Sequence, residues 1–237
     1  MSRVRILVDA DAIRGATARP GAGALHHLVD VLRLQPGAEV EVFDGRGSCW
    51  DATWVGEELR LGARRDAPRP GAVVWLAFAL AKGEKVDLVV QKATELGAAR
   101  LIPFRAERSV MRLEGDKAEE RARRWRRIAA EASRQCGRAD VPEVLAPVEL
   151  SRALEAPAGF ALLAFHGGGA PLSAVLPPGA PGFLALTGPE GGFTNREISE
   201  CLEAGCKLAS LGPRVLRAET AALVAAALIQ HRSGDLR

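Results

Sequence analysis

Thr187-Gly188-Pro189-Glu190-Gly191-Gly192 gathers a hydroxyl, a carboxylate and three glycines between an apolar run, Gly182 to Leu186, and a helix expected from Asn195. Glycines lack a Cβ, so a ligand can approach the backbone, and the helix beyond offers unpaired N–H groups at its start. Thr194 with Glu197 three residues later makes a T-x-x-E capping box, which marks where that helix begins. Glycine turns of this kind also occur without a ligand, so the turn alone leaves both readings open. Two further glycine-bearing loops follow expected strands, His166-Gly167-Gly168-Gly169 and Leu211-Gly212-Pro213-Arg214-Val215-Leu216-Arg217. Parallel sheets deliver ligand loops at the carboxyl ends of their strands, and three in series favour a binding site. No Gly-Lys-Ser/Thr completes a phosphate loop and no G-x-G-x-x-G opens the first βαβ unit, which argues against a triphosphate or NAD.

A second concentration of chemistry is electrostatic. From Lys117 to Arg138 eight cationic side chains face three glutamates, Glu119, Glu120 and Glu131. Such a face can neutralise backbone phosphates, and Trp125 among the arginines could stack on a base. A solvated helix face with Trp125 anchored in the core accounts for the same residues. Further positive charge at Arg3, Arg5, Arg14 and Arg19, at Lys82 and Lys85, and across 105–112 tips the balance towards an RNA-sized substrate.

These groups need a scaffold. Residues 3–8 alternate, and Glu39 to Phe43, Ser48 to Val55 and Glu58 to Arg64 read as short strands, with Asp44-Gly45-Arg46-Gly47 as a hairpin turn. Leu25, Leu28, Val29 and Leu32 recur at helical spacing, so one helix is expected over His26 to Arg33. A small barrel-like β domain over 1–70 follows, closed by Ala67-Pro68-Arg69-Pro70-Gly71. Beyond it, strands at Val73 to Leu80, Arg100 to Phe104, near Val144, Phe160 to Phe165, Gly182 to Leu186 and Lys207 to Leu211 alternate with helices. The helices are expected at about Lys85 to Leu96, Asp116 to Cys136, Asn195 to Ala204 and Glu219 to His231. That alternation predicts an α/β domain over 71–237 with a parallel sheet covered on both faces. The last helix is apolar nearly all round, as expected for a central core helix, a subunit interface, or both.

Composition excludes other classes. Of 237 residues 48 % are hydrophobic and 26 % charged, which is globular rather than disordered composition. No apolar run approaches a membrane span, and residues 1–8 lack the continuous apolar core of a signal peptide, so cytoplasm is the expected location. Cys49, Cys136, Cys201 and Cys206 are scattered, with no second close pair to complete a metal site, so no metal is expected.

Leu186 to Phe193 and Leu211 to Ala222 (LGPRVLRAETAA) resemble two signature loops of the SPOUT methyltransferases, specifically the ribosomal RNA small-subunit methyltransferase E family. Further matches are His27 to Arg33 with Phe43-Asp44-Gly45, Lys82-Gly83-Glu84-Lys85, Gln91 to Gly97, and Glu131 to Pro142. The blocks run in order through almost the whole chain. The resemblance implies an N-terminal PUA-like RNA-binding β-barrel and a SPOUT-type parallel sheet whose last segment forms a deep trefoil knot. It also implies a homodimer that uses S-adenosylmethionine to methylate N3 of a uridine in small-subunit ribosomal RNA or the assembled 30S subunit.

Carried onto this sequence, the resemblance puts Thr187, Gly188, Glu190, Gly191, Gly192, Leu211, Gly212, Val215, Leu216 and Arg217 around the cofactor, with Leu163 and Gly168 added from the preceding strand and loop. That loop departs from the His-Pro-Arg-Ala type of many relatives. Arg217 is the candidate for stabilising charge on a uracil carbonyl and Glu219 the candidate base or orienter; alternatively, Glu219 caps the last helix and pairs with Arg217. RNA-binding candidates are Arg3, Arg5, Arg14, Arg33, Lys82, Lys85, Arg108, Arg124, Arg127 and Arg134. His26, His27 and His166 have the chemistry for proton transfer, but nothing in the sequence brings them to the target. Two other functions compete: a non-catalytic RNA binder, which has no reason to keep the glycine loops intact, and an α/β enzyme for a small molecule, for which the charge at 121–127 would be dispensable.

Overall fold

The computed structural model describes residues 3–67, 71–111 and 113–236. The chain separates into two compact units, Met1–Arg69 with Ala130–Val141, and Pro70–Ala129 with Pro142–Arg237. Residues 68–70 of the expected linker, and Arg112, lie outside the described residues.

In the first unit β1 (Val4–Leu7), β2 (Ile13–Arg14) and β3 (Thr17–Ala18) precede a short helix, α1 (Ala22–His26), and then come β4 (Glu39–Phe43), β5 (Ser48–Trp54) and β6 (Leu59–Asp66). They form a curled six-stranded half-barrel in the order β1-β4-β5-β6-β3-β2, parallel only between β1 and β4. Alternation sets the faces: Val40 and Val42 point into a core with Ile6, Leu28, Trp54 and Leu59, whereas Glu39 and Glu41 point away. Asp44 fixes the β4–β5 turn, its Oδ1 accepting from the N–H groups of Arg46 (2.8 Å) and Ser48 (3.0 Å). The helix expected over His26 to Arg33 instead begins at Ala22, widens into a π turn over His27–Val31, and ends with Arg33 at φ 51°. Its start escapes periodicity because Ala22-Gly23-Ala24 carries no apolar stripe, and of the four spaced apolar residues only Leu28 is buried.

The second unit runs β7 (Val73–Ala79), α2 (Lys85–Glu95), β8 (Arg100–Arg105), α3 (Gly115–Cys136), β9 (Glu143–Val144), β10 (Val148–Glu149), α4 (Leu150–Ala153), β11 (Ala161–Pro171), α5 (Leu172–Val175), β12 (Gly182–Thr187), α6 (Asn195–Glu203), β13 (Lys207–Ser210) and α7 (Ala218–Arg232). The end of α3 groups with the first unit. Every strand pairing here is parallel, in the order β10-β8-β7-β12-β11-β13 with β9 also on β8. All of β12 is buried, as a strand covered on both faces must be. Ala222, Ala225, Ala226 and Ile229 of α7 are fully buried, their small side chains letting the helix lie close on β7 and β12. β12, β11 and β13 lie side by side, so the loops that follow them meet at one edge of the sheet.

Two expectations need correcting. Phe160 to Phe165 was expected to end in a loop, but β11 continues to Pro171 with a bulge between Phe165 and Ala170, both of which pair with Ala209. Trp125 does not stack on a base. It is 1 % exposed within the apolar stripe of α3, with its Nε1 donating to Asp87 at 2.9 Å. All four cysteines are free thiols; Cys201 and Cys206 are buried.

Candidate functional site

The glycine turn is braced from several sides. Gly192, at φ 70°, donates to the Pro189 carbonyl at 2.8 Å and closes the turn. Phe193 stacks on Phe104 at 6.3 Å, and a Cβ on Gly188 would lie 3.0 Å from the Phe193 ring, a contact tight enough to push that ring. The capping box forms: Glu197 N–H donates to Thr194 Oγ1 (3.2 Å) and Thr194 N–H to Glu197 Oε2 (2.7 Å). The other Glu197 oxygen accepts from Glu107 N–H at 2.9 Å, and Arg108 donates to the Gly191 carbonyl at 2.9 Å. The loop after β8 thereby holds the turn after β12.

Beside this turn stands the bulge of β11. A Cβ on Gly169 would come within 2.6 Å of the Ala209 backbone, so the close return of the strand onto β13 requires glycine. His166 Nδ1 accepts from Gly168 N–H at 3.1 Å, which leaves the neutral ring carrying its proton on Nε2. The third loop leaves β13 at Ser210, turns at Gly212 (φ 109°) and presents Val215 almost fully to solvent before α7 begins.

The three loops line one cleft of about 250 Å³, formed by residues 165–167, 187–190, 192–193 and 210–216 with Ala218 and Ala221. Of the expected cofactor residues it brings together Thr187, Gly188, Glu190, Gly192, Leu211, Gly212, Val215 and Leu216. Gly191 lies off the wall, its carbonyl taken by Arg108. Leu163 is not on the wall either, because it is fully buried within the sheet, paired with Ala185 and Lys207. Gly168 is not on the wall, where Gly167 stands instead. Arg217 is exposed at the N-terminus of α7 and makes no ion pair among the described residues. It holds the N-cap position of α7, its carbonyl accepting from Ala221 N–H at 2.8 Å, with no side-chain cap hydrogen bond, and among the described residues Glu219 pairs with Lys85 and not with Arg217.

Polar groups crowd the inner end. Thr187 Oγ1 is buried and has no hydrogen-bond partner among the described residues. Lys85 Nζ hydrogen-bonds Glu190 and stands 3.8 Å from Glu219 Oε2. The bond to Glu190 holds the Lys85 ammonium above the usual lysine range, and the same bond holds the Glu190 carboxyl below the usual carboxylate range. Glu219, with its side chain 12 % exposed, faces a narrow space of about 10 Å³ shared with Phe78, Lys85, Val86, Thr187 and Gly188. No sequence spacing joins residues 85, 190 and 219; the adjacency of β7 and β12 does. His166 likewise reaches the cleft only through the bulge.

The remaining cationic candidates divide. Arg5 is turned inward: Nε bonds Glu41 at 2.6 Å, and its Nη atoms donate to the carbonyls of Ser133, Arg134 and Arg138 at 3.0–3.1 Å. Its donors are used within the first unit. Arg3 pairs with Glu39 and Asp51, Arg124 with Asp87 and Arg134 with Glu131. Arg14 lines an open groove of about 650 Å³ in the first unit with Arg19 and Arg46, among Asp9, Asp11, Asp44 and Glu58. Arg33, Lys82 and Arg127 are exposed. Among the described residues no cluster of three or more His, Cys, Asp or Glu is placed to hold a metal, and no helix is long and apolar enough to cross a membrane.

Comparison with known proteins adds to this geometry. The profile of the RNA methyltransferase domain matches residues 68–230, and that of the RNA methyltransferase PUA domain matches 21–53. The ribosomal RNA small subunit methyltransferase E of Bacillus subtilis is 33 % identical over 90 % of this chain and 89 % of its own length. Its counterpart from Synechocystis is 37 % identical over 95 % of this chain and 76 % of its own. The crystal structure of the Neisseria gonorrhoeae protein of that name, bound to S-adenosyl methionine, superposes with a TM-score of 0.88 at 29 % identity, covering 97 % of this chain and 98 % of that one.

Proposed function

The chain belongs to the ribosomal RNA small-subunit methyltransferase E family of RNA methyltransferases, and from that premise we propose that it uses S-adenosylmethionine to methylate N3 of one uridine in small-subunit ribosomal RNA. One observation carries the assignment of the cleft. Thr187 is 1 % exposed, and its hydroxyl has no partner among the described residues on a wall made of three glycine-bearing loops. A buried hydroxyl without a partner costs about 1–3 kcal/mol, a cost that a polar ligand removes.

The residues present fit the cofactor. Gly188, Gly192 and Gly212 keep the backbone open, Leu211, Val215 and Leu216 offer apolar surface, and Thr187 offers a hydrogen bond. Bound there, S-adenosylmethionine supplies an electrophilic methyl group on its sulfonium. The chain's own residues must then align uridine N3 with that methyl and manage the N3 proton; alignment of this kind can be worth several kcal/mol. Arg217, free of ion pairs among the described residues, stabilises the negative charge that grows on a uracil carbonyl as the proton leaves. Glu219 acts as base or orienter at the inner end of the cleft.

The trefoil knot of the last segment, the homodimer and the cytoplasmic location belong to the same proposal, as does RNA guidance by Arg14, Arg33, Lys82 and Arg127, which remain exposed. Leu228, a large apolar side chain 39 % exposed on α7, supports a contact with a second subunit. The test is methyl transfer from labelled S-adenosylmethionine to small ribosomal subunits that lack the modification, followed by nucleoside mass spectrometry. Labelled 3-methyluridine is expected. No labelled nucleoside would return the protein to the class of RNA binders, and a different labelled nucleoside would overturn the N3 assignment.

A further inference from the structure

Lys85 was expected to meet RNA with Lys82, yet the two lysines face different surroundings. Lys82 is exposed, while Lys85, the first residue of α2, has its side chain only 31 % exposed and engaged by carboxylates from two other segments. Its ammonium hydrogen-bonds Glu190 in the turn after β12 and lies 3.8 Å from Glu219 in the first turn of α7. Those segments form two walls of the cleft, and α2 belongs to neither. Glu219 Oε2 is buried and has no hydrogen bond among the described residues, so the Lys85 ammonium is its nearest countercharge. Beyond this trio the next charges are Arg217, which acts on both Lys85 and Glu190, and Lys82, which acts on Glu190.

We propose that Lys85 is a positioning residue that ties the glycine turn to the start of α7 through Glu190 and Glu219, and so fixes the cleft for methyl transfer. The proposal rests on the methyltransferase reading above. Without Lys85, two carboxylates on facing segments lose the cation between them, and like charges in a partly desolvated site repel or take up a proton. The turn and the helix start then part or lose their charge, while the backbone and apolar surfaces of the cleft remain. Turnover should suffer more than cofactor affinity. A residue whose task was to contact RNA would show the opposite pattern, a higher KM for RNA with kcat preserved.

The experiment compares the full-length wild type with Lys85→Met and Lys85→Arg. Single-turnover methyl transfer to small subunits is followed from pH 5 to 9, with calorimetric titration of S-adenosylmethionine. For Lys85→Met the rate at saturation should fall about tenfold with cofactor affinity within about threefold, and the acid limb of the profile should move to higher pH. Lys85→Arg keeps a cation in place and should restore the wild-type limb. A wild-type rate and profile in Lys85→Met would overturn the proposal, as would a change confined to KM for RNA. Amide hydrogen exchange gives a readout independent of activity. Exchange across 188–193 and 218–222 should rise about tenfold in Lys85→Met and not in Lys85→Arg, and unchanged exchange would contradict the tie. If the wild type itself methylates no small subunit, the functional reading fails, and the exchange measurement still decides the role of Lys85.

Discussion

The edge of the first unit around Arg5 and the inner end of the cleft around Thr187 both bury polar side chains, and they treat them in opposite ways. Arg5 gives its donors to Glu41 and to three carbonyls at the end of α3. Burial alone would push the Glu41 carboxyl up, but Arg5 and Arg65 outweigh it and hold that group below the usual range. Among the described residues Thr187 Oγ1 has no hydrogen-bond partner, and Glu219 beside it leaves one oxygen without a hydrogen bond. A folded chain rarely leaves such groups unpaired without a reason. Ser133 Oγ, on the residue whose carbonyl takes Arg5, and the side-chain amide of Gln230 are also buried without a partner among the described residues, so an unpaired atom alone marks no ligand site; Thr187 is set apart because it lies on the wall of the cleft. Charge alone did not separate the two regions, since Arg5 and Lys85 looked equally suited to RNA.

Variants can break or sharpen this contrast, and the largest effect is expected around Arg5. Arg5→Met leaves Glu41 to Arg65 alone and takes the donors from three carbonyls, and it should destabilise the first unit by about 2–4 kcal/mol in urea unfolding, with cofactor affinity intact. Because the folded Glu41 carboxyl sits below its unfolded value, its contribution is present above about pH 4.3 and is lost as pH falls through the folded value. The wild-type first unit should weaken there, and Arg5→Met, in which only Arg65 still holds Glu41, should show a smaller acid transition. Next comes Gly169→Ala, whose Cβ meets the Ala209 backbone; thermal unfolding should reveal a loss of about 1–3 kcal/mol, together with weaker cofactor binding. Smallest is Arg3→Ala, which removes exposed pairs with Glu39 and Asp51 and should change stability by less than about 1 kcal/mol. Equal costs for Arg5→Met and Arg3→Ala would dissolve the distinction.

Local signals carried much of this architecture. Uninterrupted apolar runs at 73–79 and 182–186 mark covered parallel strands, Asp44-Gly45 marks a turn that forms, and Thr194 with Glu197 marks a helix start that forms as a capping box. The glycine loops could be grouped because consecutive βα units place their loops at one edge. What escaped is non-local or too short for a period. Strands of two residues such as β2, β3 and β10 leave no pattern to read. Alternation puts Arg5 on the outer face of β1, and only the fold reveals that residues 133–138 cover that face. The meeting of Lys85, Glu190 and Glu219 depends on the order of strands in the sheet, which no spacing encodes.

Thr187→Val tests the central claim most directly, because the two side chains have the same shape and differ by one hydroxyl. Calorimetric titration of S-adenosylmethionine into this variant, on a sample whose unfolding is measured in parallel, separates the ligand role from the structural one. The account predicts a free protein more stable by about 1 kcal/mol, since an unpaired buried hydroxyl is gone, and an affinity lower by about tenfold. Unchanged affinity, or a variant that loses stability while binding normally, would contradict the claim that the unmatched groups of the cleft are kept for the cofactor.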